Sequence, residues 1–257
     1  MTDVLTTTTL LDRLRSTRAA VEGGDWVSGA LAASPEAPLS LLADRTKPLS
    51  ALDSGGIGFL APMIAFLEEP LEQLRGDPGP VSSGADDFGG SARDTAAVAE
   101  DYRASAAQET DSWSGAAGTG YLERGSELAD GVLSLAETAL TTAKSLIGAG
   151  TIVATLVAEV TAEIGKALGE IVPRMATALA QAPATFGASI AEAIPECVGI
   201  AARYAAEVAK KVGDFLASGE NLVELIDGAI GVLKLVKQTL TLISEQSTTA
   251  TTTEETT

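Results

Sequence analysis

The sequence predicts an all-α protein, an elongated helical bundle built around one helix-turn-helix hairpin. Hydrophobic residues make up 46% of the chain but aromatic residues only 4%, so the core must be built from Ala, Leu, Ile and Val. Such cores favour packed helices, because small side chains let helix axes approach closely. No stretch alternates apolar and polar residues at the period of two that is typical of a half-buried strand. Several stretches instead place apolar residues at steps of three and four, which is typical of packed helices.

The chain divides into five segments in order. Residues 1–75 are predicted to form short helices and loops, with a first helix over 9–32 that breaks at Gly23-Gly24. Residues 76–91 are rich in Gly, Pro, Ser and Asp, which predicts a linker. Residues 92–147 are assigned to the hairpin, residues 148–245 to C-terminal helices that pack on it, and residues 246–257 to a disordered Thr/Glu tail.

Apolar periodicity predicts which helix faces pack. In the first hairpin helix, Val98 and Tyr102 share one stripe, which Ala106 and Trp113 roughly continue. In the second, the steps follow a heptad pattern, which predicts a seam of Tyr121, Leu128, Val132, Leu135, Ala139, Thr142 and Leu146. The last helix has the most regular pattern, at Leu222, Ile226, Ala229, Leu233, Val236, Leu240 and Ile243. This last seam is interpreted as core packing within the chain, with a groove for a partner as the alternative.

Glycine and proline positions predict where the C-terminal helices are interrupted. Gly148 and Gly150 predict a kink or joint. Pro173, Pro183 and Pro195 predict helix boundaries, because the residue before a proline is pushed away from helical geometry.

Composition excludes several function classes. The net charge is −18, from 35 acidic and 17 basic residues, so nucleic acid is not expected as a partner. The chain contains no His, which excludes His-based nucleophile activation, acid–base chemistry and zinc ligation. The single Cys197 cannot form an internal disulfide and is interpreted as a buried filler. The sequence therefore predicts a non-enzymatic protein without a cofactor or a metal.

The first residues lack the basic start and apolar core of a general secretory signal peptide. The most apolar stretches, residues 145–158 and 175–191, are too short or too interrupted to predict a membrane span. Contact with a membrane is left open.

One motif stands out in the turn TDSWSGAAGTGY, residues 110–121. Trp113 is one of only two Trp residues and precedes Ser114 and Gly115, where the chain must reverse between two helices. We expect Trp113 to fold over the end of the hairpin and cover its first apolar layer.

Trp113-Ser114-Gly115 between two Ala-rich helices resembles the WXG100 family of type VII secretion substrates. The resemblance is to the longer actinobacterial members with extra helices on both sides, and it covers roughly residues 50–150. LDSGGIGFL at residues 52–60 and PLEQLRGDPGPV ahead of the hairpin also contribute to it. Some of those proteins carry a C-terminal toxin, which makes an effector one of the expectations.

The resemblance implies a folded helical hairpin that a membrane-embedded ATPase exports without a cleaved signal. It implies a cytoplasmic protein that becomes secreted or displayed at the cell surface, with the secretion machinery as partner. A small WxG protein or a second copy of the chain is the other partner it suggests. The family's tyrosine-plus-acid signal, YxxxD/E, is absent, because the residues four positions after Tyr102, Tyr121 and Tyr204 are Ala, Gly and Val.

The functional prediction is therefore a type VII secretion-associated substrate, or the export module of an effector, recognised through Trp113, Ser114 and Gly115. Two alternatives stand beside it. Long Ala, Leu, Ile and Val helices joined by Gly suggest a membrane-active or pore-forming protein, and the same helices suit a structural scaffold.

Overall fold

The computed structural model describes the backbone of residues 6–254, and the side chains of that range except those of 243, 244 and 246–254. It confirms the all-α fold, since 87% of the described residues are helical and the described part contains no strand. Its α-helices are α1 Thr7–Gly23, α2 Ala51–Ser54, α3 Glu69–Leu74, α4 Gly79–Glu109, α5 Ala116–Thr185 and α6 Ala188–Glu254. Short 3₁₀ helices lie at Gly29–Ala33, Leu39–Ala43, Pro48–Ser50, Gly58–Met63 and Ala65–Leu67.

The chain forms two compact units, and each is assembled from separated segments. Unit 1 takes the chain up to Trp26, then Pro80–Gly148, then the chain from Glu220 onward. Unit 2 takes Val27–Gly79 and Ala149–Gly219. This division differs from the linear order of segments predicted from the sequence. One boundary falls beside Gly148, where a joint is predicted, although α5 is one helix from Ala116 to Thr185.

The packed faces of unit 1 consist mainly of small residues spaced seven apart. A seven-residue spacing keeps one stripe of a helix toward its neighbours, and alanine lets the helices approach closely. The buried residues at this spacing are Ala85, Ala92, Ala99 and Ala106 in α4, Ala129, Ala136 and Ala143 in α5, and Leu222, Ala229 and Val236 in α6.

The larger apolar residues predicted for these faces lie beside them. The predicted seam of α5 is therefore wrong, and the stripe of α4 is wrong at Val98 although its Ala106 is buried on the packed face. Val98 is 61% exposed, whereas the adjacent Ala99 is buried. In the α5 seam, Tyr121 and Leu135 are exposed and the other members are only half-buried. Leucine and tyrosine would hold the helices apart, so the face of closest approach is the one that carries Ala and Ser.

The predicted α6 seam is divided between burial and partial exposure. Leu222 and Val236 are buried, Ile226, Leu233 and Leu240 are half-buried, and the side chain of Ile243 lies outside the described residues. Gly131 of α5 makes room for Leu240, because a Cβ at Gly131 would lie 2.4 Å from Leu240 Cδ2. The two helices therefore meet where one of them has no side chain.

A buried carboxylate connects α1, α4 and α5 in unit 1. Thr8 Oγ1 donates to Asp130 Oδ2 at 2.6 Å, and Arg103 Nη2 donates to Asp130 Oδ1. Asp130 is only 8% exposed. Its charge is stable there because both oxygens accept hydrogen bonds and one partner is a cation.

Trp26 follows α1 and is buried in unit 1, with only 4% of its surface exposed. The predicted break of the first helix falls at Gly24, whose φ of 72° ends α1 in the left-handed region. The indole N–H of Trp26 donates to the Val21 carbonyl at 3.1 Å, and Asn221 Nδ2 donates to the Trp26 carbonyl at 3.1 Å. A Cβ at Gly148 would lie 3.2 Å from Trp26 Cζ2. Gly148 therefore provides space for the indole and does not interrupt α5.

Unit 2 places the short N-terminal helices against parts of α5 and α6. Backbone N–H groups of the short segments bond to side chains of the long helices: Ala37 donates to Thr155 Oγ1 at 3.1 Å, and Ala30 donates to Asp214 Oδ2 at 2.9 Å. The core side chains of the short segments are Leu31, Leu42, Leu49, Leu52, Ile57, Leu60, Ile64, Leu67 and Leu71.

The helix boundaries predicted at Pro173 and Pro195 are wrong, because these residues lie inside α5 and α6, whereas Pro183 lies in the last turn of α5, which ends at Thr185. A proline within a helix costs about 3 kcal/mol through its missing N–H and its steric clash. Ile171 and Met175, on either side of Pro173, are both fully buried. Packing on both sides of the proline thus offsets the local cost and keeps the helix continuous.

Two further segments differ from their prediction. α4 begins at Gly79, so most of the predicted linker over 76–91 is helical. Ala85 is buried there, and a Cβ at Gly84 would lie 3.7 Å from Leu146 Cδ1, so packing overrides the low helix propensity of Gly and Ser. α6 reaches Glu254, so the predicted disordered tail is helical as far as it is described, and residues 255–257 lie outside the described range.

A cluster of charges connects α5 and α6 within unit 2. Lys211 Nζ donates to Glu159 Oε2 at 2.7 Å and lies 3.7 Å from Glu163 Oε1, which Lys166 also approaches to 2.9 Å. The hydrogen bond from Lys211 lowers the pKa of Glu159, and the same bond raises the pKa of Lys211. Both shifts mean that the folded state favours the charged forms.

We expect Lys211→Met to reduce the free energy of unfolding at pH 7 by roughly 1–3 kcal/mol, because it leaves two carboxylates without their shared cation. Because the pKa of Glu159 is lowered in the folded protein, Glu159 contributes its full stabilisation above its ordinary pKa of 4.5. This stabilisation is lost as the pH falls through the lower pKa of the folded state. Because the pKa of Lys211 is raised, the contribution of Lys211 to the free energy of unfolding stays constant until the pH exceeds the ordinary lysine pKa of 10.5. Urea unfolding from pH 3 to 9 should therefore show a constant deficit between about pH 5 and 9 that shrinks in acid.

The matched control is Lys210→Met, which removes an exposed lysine one residue away. It should change the free energy of unfolding by less than about 0.5 kcal/mol. An equal loss of unfolding free energy in both variants would show that Lys211 stabilises the fold only by lowering the net negative charge, and not through its contacts with Glu159 and Glu163.

Candidate functional site

Trp113, Ser114 and Gly115 lie in the turn between α4 and α5, and short hydrogen bonds fix its backbone. Thr110 Oγ1 donates to the Ala106 carbonyl at 2.8 Å at the end of α4, and the Trp113 N–H donates to the Thr110 carbonyl at 2.9 Å. Gly115 has a φ of 87°, a conformation that glycine adopts without steric cost. The turn is thus defined by its backbone and holds the Trp113 side chain at the end of the hairpin.

Trp113 is 53% exposed, so the prediction that it covers the first apolar layer of the hairpin is wrong. It packs along the start of α5: a Cβ at Gly118 would lie 3.2 Å from Trp113 Cβ, and the ring centroids of Trp113 and Tyr121 are 5.4 Å apart at 51°. The alanine faces of α4 and α5 approach too closely to admit an indole between them. The side chain is therefore left on the surface.

Trp113, Tyr121 and Tyr102 form a surface that we call the aromatic patch. The two tyrosines are 38% and 36% exposed, and a Cβ at Gly125 would lie 3.5 Å from Tyr102 Cε1, so Tyr102 of α4 rests on α5 at a glycine. Burial raises the pKa of Tyr102, and Tyr121 and Glu109 raise it further. The Tyr102 hydroxyl therefore stays protonated at neutral pH and can act as a hydrogen-bond donor.

The chemistry of this site suits recognition of another protein. Tyr and Trp contribute most to binding energy at protein interfaces, because they bury a large area and still carry a polar group. No group of three or more Cys, Asp or Glu in the described residues is arranged to hold a metal ion. Sequence periodicity assigned Tyr102 and Tyr121 to packed seams and therefore missed their place in the patch.

A second exposed aromatic residue occupies the turn between α5 and α6. Phe186 is 99% exposed with a φ of 51°, and Gly187 follows with a φ of 87°. Residues 175–191 around this turn contain no charged side chain. A fully exposed Phe in a left-handed conformation is costly for the folded chain, since it gains no burial and a non-glycine residue rarely adopts that backbone.

Cys197 is fully buried in unit 2, in agreement with its interpretation as a filler residue. Burial raises the pKa of its thiol, only partly countered by Arg174. A buried thiol of raised pKa is a poor nucleophile.

Comparison of the chain with family models, with curated proteins and with solved structures finds no match.

Truncation of the two tryptophans should lower the free energy of unfolding by very different amounts. Trp26→Ala removes a buried indole from a space that Gly148 leaves open, and we expect it to cost about 3–5 kcal/mol of unfolding free energy. Trp113→Ala removes a mainly exposed side chain, and we expect a loss below about 1 kcal/mol. Urea denaturation followed by circular dichroism measures both. A loss for Trp113→Ala as large as that for Trp26→Ala would mean that the turn is packed far more tightly than its exposure indicates.

Proposed function

We propose that this protein is a type VII secretion-associated substrate, or the export module of an effector, recognised through its WxG hairpin. The observation that supports the proposal is the exposure of Trp113. A Trp needed only for packing would be buried, as Trp26 is. Here the indole lies on the surface at the end of two alanine-faced helices, where a partner can reach it.

The neighbourhood of Trp113 supports the same interpretation. The aromatic patch extends the contact surface along both helices of the hairpin. Ser114 beside it is exposed and adds a hydroxyl that can donate or accept. Glu109, which acts electrostatically on Tyr102, and Asp111 add negative charge to the turn region. A partner with an apolar pocket and a basic rim would fit this surface.

The proposal includes the secretion machinery as partner, and secretion or surface display as the destination after folding in the cytoplasm. Because no Tyr in the chain is followed by Asp or Glu four residues later, the YxxxD/E signal would come from a second protein. A small WxG protein that travels with this chain would fill that role.

Export should depend on the Trp113 side chain independently of stability. In cells that express the protein, Trp113→Ala should remain folded in the cytoplasm, and the amount in the medium and at the cell surface should fall at least about 10-fold, because the recognised ring is gone. Immunoblots of cell and culture fractions measure this. Deletion of the secretion ATPase should retain the native protein to the same extent.

Phe186→Ala is the matched control, because it also removes an exposed aromatic side chain from a turn between two long helices. We expect its export to equal that of the native chain. Undiminished export of folded Trp113→Ala, or undiminished export without the ATPase, would refute the proposal.

A membrane-active protein is the second candidate, and the uncharged turn at Phe186 favours it. An exposed Phe with no charge nearby suits contact with the apolar boundary of a bilayer. Among the described residues, α5 is also the one helix long and apolar enough to span a membrane, with a mean hydropathy of 1.6 over its best 18-residue window, 44% of which is buried within the protein.

Charge separates the two candidates. The net charge of −18 opposes approach to an anionic bilayer at neutral pH. We therefore expect no dye release from phosphatidylglycerol vesicles at pH 7, for the native chain and for Phe186→Asp alike. Release by the native chain that Phe186→Asp abolishes would favour the membrane-active candidate over export.

A further inference from the structure

An open groove in unit 1, between α5 and the last part of α6, has the properties of a ligand site. Its volume is about 760 Å³, within the range of roughly 300–1,000 Å³ that is typical of small-molecule sites. Leu135 of α5 lines one side and Ile230, Leu233 and Leu240 of α6 line the other. The buried Val236 also borders it.

The packing of α5 on α6 explains why the groove is open. The contact face of α6 uses Leu222, Ala229 and Val236, which are seven residues apart and buried. Ile230 lies next to this face and is 42% exposed, and Leu135 opposite is 45% exposed. Several large apolar residues are thus left uncovered in one place, which is unfavourable unless something covers them.

Two lysines give the groove a local positive charge. Lys234 and Lys237 both line it, and both are exposed. Neither belongs to any salt bridge among the described side chains, whereas most other Lys and Arg of the chain are paired with carboxylates. In a protein of net charge −18, two unpaired cations beside an apolar surface are a local exception.

The polarity of the groove is also directional. Glu245 lines its far end, eight residues beyond Lys237, which corresponds to about 12 Å along a helix. A negative group is therefore favoured beside the lysines. Lysine side chains can lay their apolar stems along an alkyl chain while the ammonium groups reach its charged end.

We propose that this groove binds a single-chain anionic amphiphile, a long-chain fatty acid, with its alkyl chain against Leu135, Ile230, Leu233 and Leu240 and its carboxylate beside Lys234 and Lys237. The apolar walls and the pair of cations together match an alkyl chain with one negative end. This binding is separate from the proposed recognition of Trp113, since none of the residues of the aromatic patch lines the groove.

The test is displacement of a fluorescent fatty acid by oleate from the full-length protein, below the concentration at which oleate forms micelles. Oleate should bind saturably, one molecule per chain. The double variant Lys234→Gln/Lys237→Gln should bind oleate at least about 10-fold more weakly. Ile230→Glu and Leu135→Glu should abolish binding, and both positions are exposed enough to accept a charge without unfolding. Circular dichroism confirms that each variant is folded.

Two controls are matched to these changes. Val223→Glu introduces a carboxylate at a 56% exposed apolar position of the same helix that does not line the groove, and Lys210→Gln removes an exposed lysine elsewhere. Both should bind oleate as the native chain does. Oleyl alcohol, which has the same chain length without the charge, should bind at least about 10-fold more weakly than oleate.

Four outcomes would overturn the proposal. Unchanged oleate affinity in the double lysine variant, or equal affinity for oleyl alcohol, would show that the lysines hold no carboxylate. Binding of many oleate molecules per chain without saturation would show nonspecific adsorption. A native dimer that Ile230→Glu converts to a monomer, together with no binding of oleate, would show that a second copy of the chain covers the groove.

Discussion

The structure of unit 1 depends on the close approach of helices through small side chains. Buried alanines recur every seventh residue in α4 and α5, and glycines occupy the tightest points, such as Gly131 against Leu240 and Gly148 against Trp26. When helices approach closely, many short contacts between backbones and methyl groups stabilise the core, in place of the burial of large side chains. A protein with few aromatic residues can form a defined core in this way.

This constraint also decides where the large side chains lie. An interface that fits Ala against Ala has no space for an indole or a phenyl ring, so aromatic residues are buried only where a glycine makes room, as at Trp26. Elsewhere they are left at the turns, as Trp113 and Phe186 are, or beside the packed face, as Tyr102 and Tyr121 are. The surface features that suggest function are therefore a consequence of how the helices pack.

Charge adds a second level of organisation. A strongly acidic chain repels itself, and its cations are used mainly to hold carboxylates at helix contacts, as Lys211 does with Glu159 and Arg103 does with Asp130. Two positively charged side chains beside an apolar groove stand out against this background. The two surfaces therefore differ in charge. The aromatic patch lies near acidic residues, whereas the groove lies beside lysines that form no salt bridge among the described side chains.

The all-α class, the helical hairpin and the turn at Trp113-Ser114-Gly115 follow from the sequence, because composition and glycine conformation are local properties of the chain. The WxG motif can also be read from the sequence, but the exposure of Trp113 cannot. Apolar periodicity identifies the stripe of large apolar side chains on a helix, and it does not show which helix face lies closest to a neighbouring helix. The continuity of α5 through Pro173, the helical form of the predicted linker and the uncovered groove beside Lys234 and Lys237 were decided by tertiary structure. In each case contacts between segments distant in sequence outweigh the local preference, and those contacts exist only once the helices have packed.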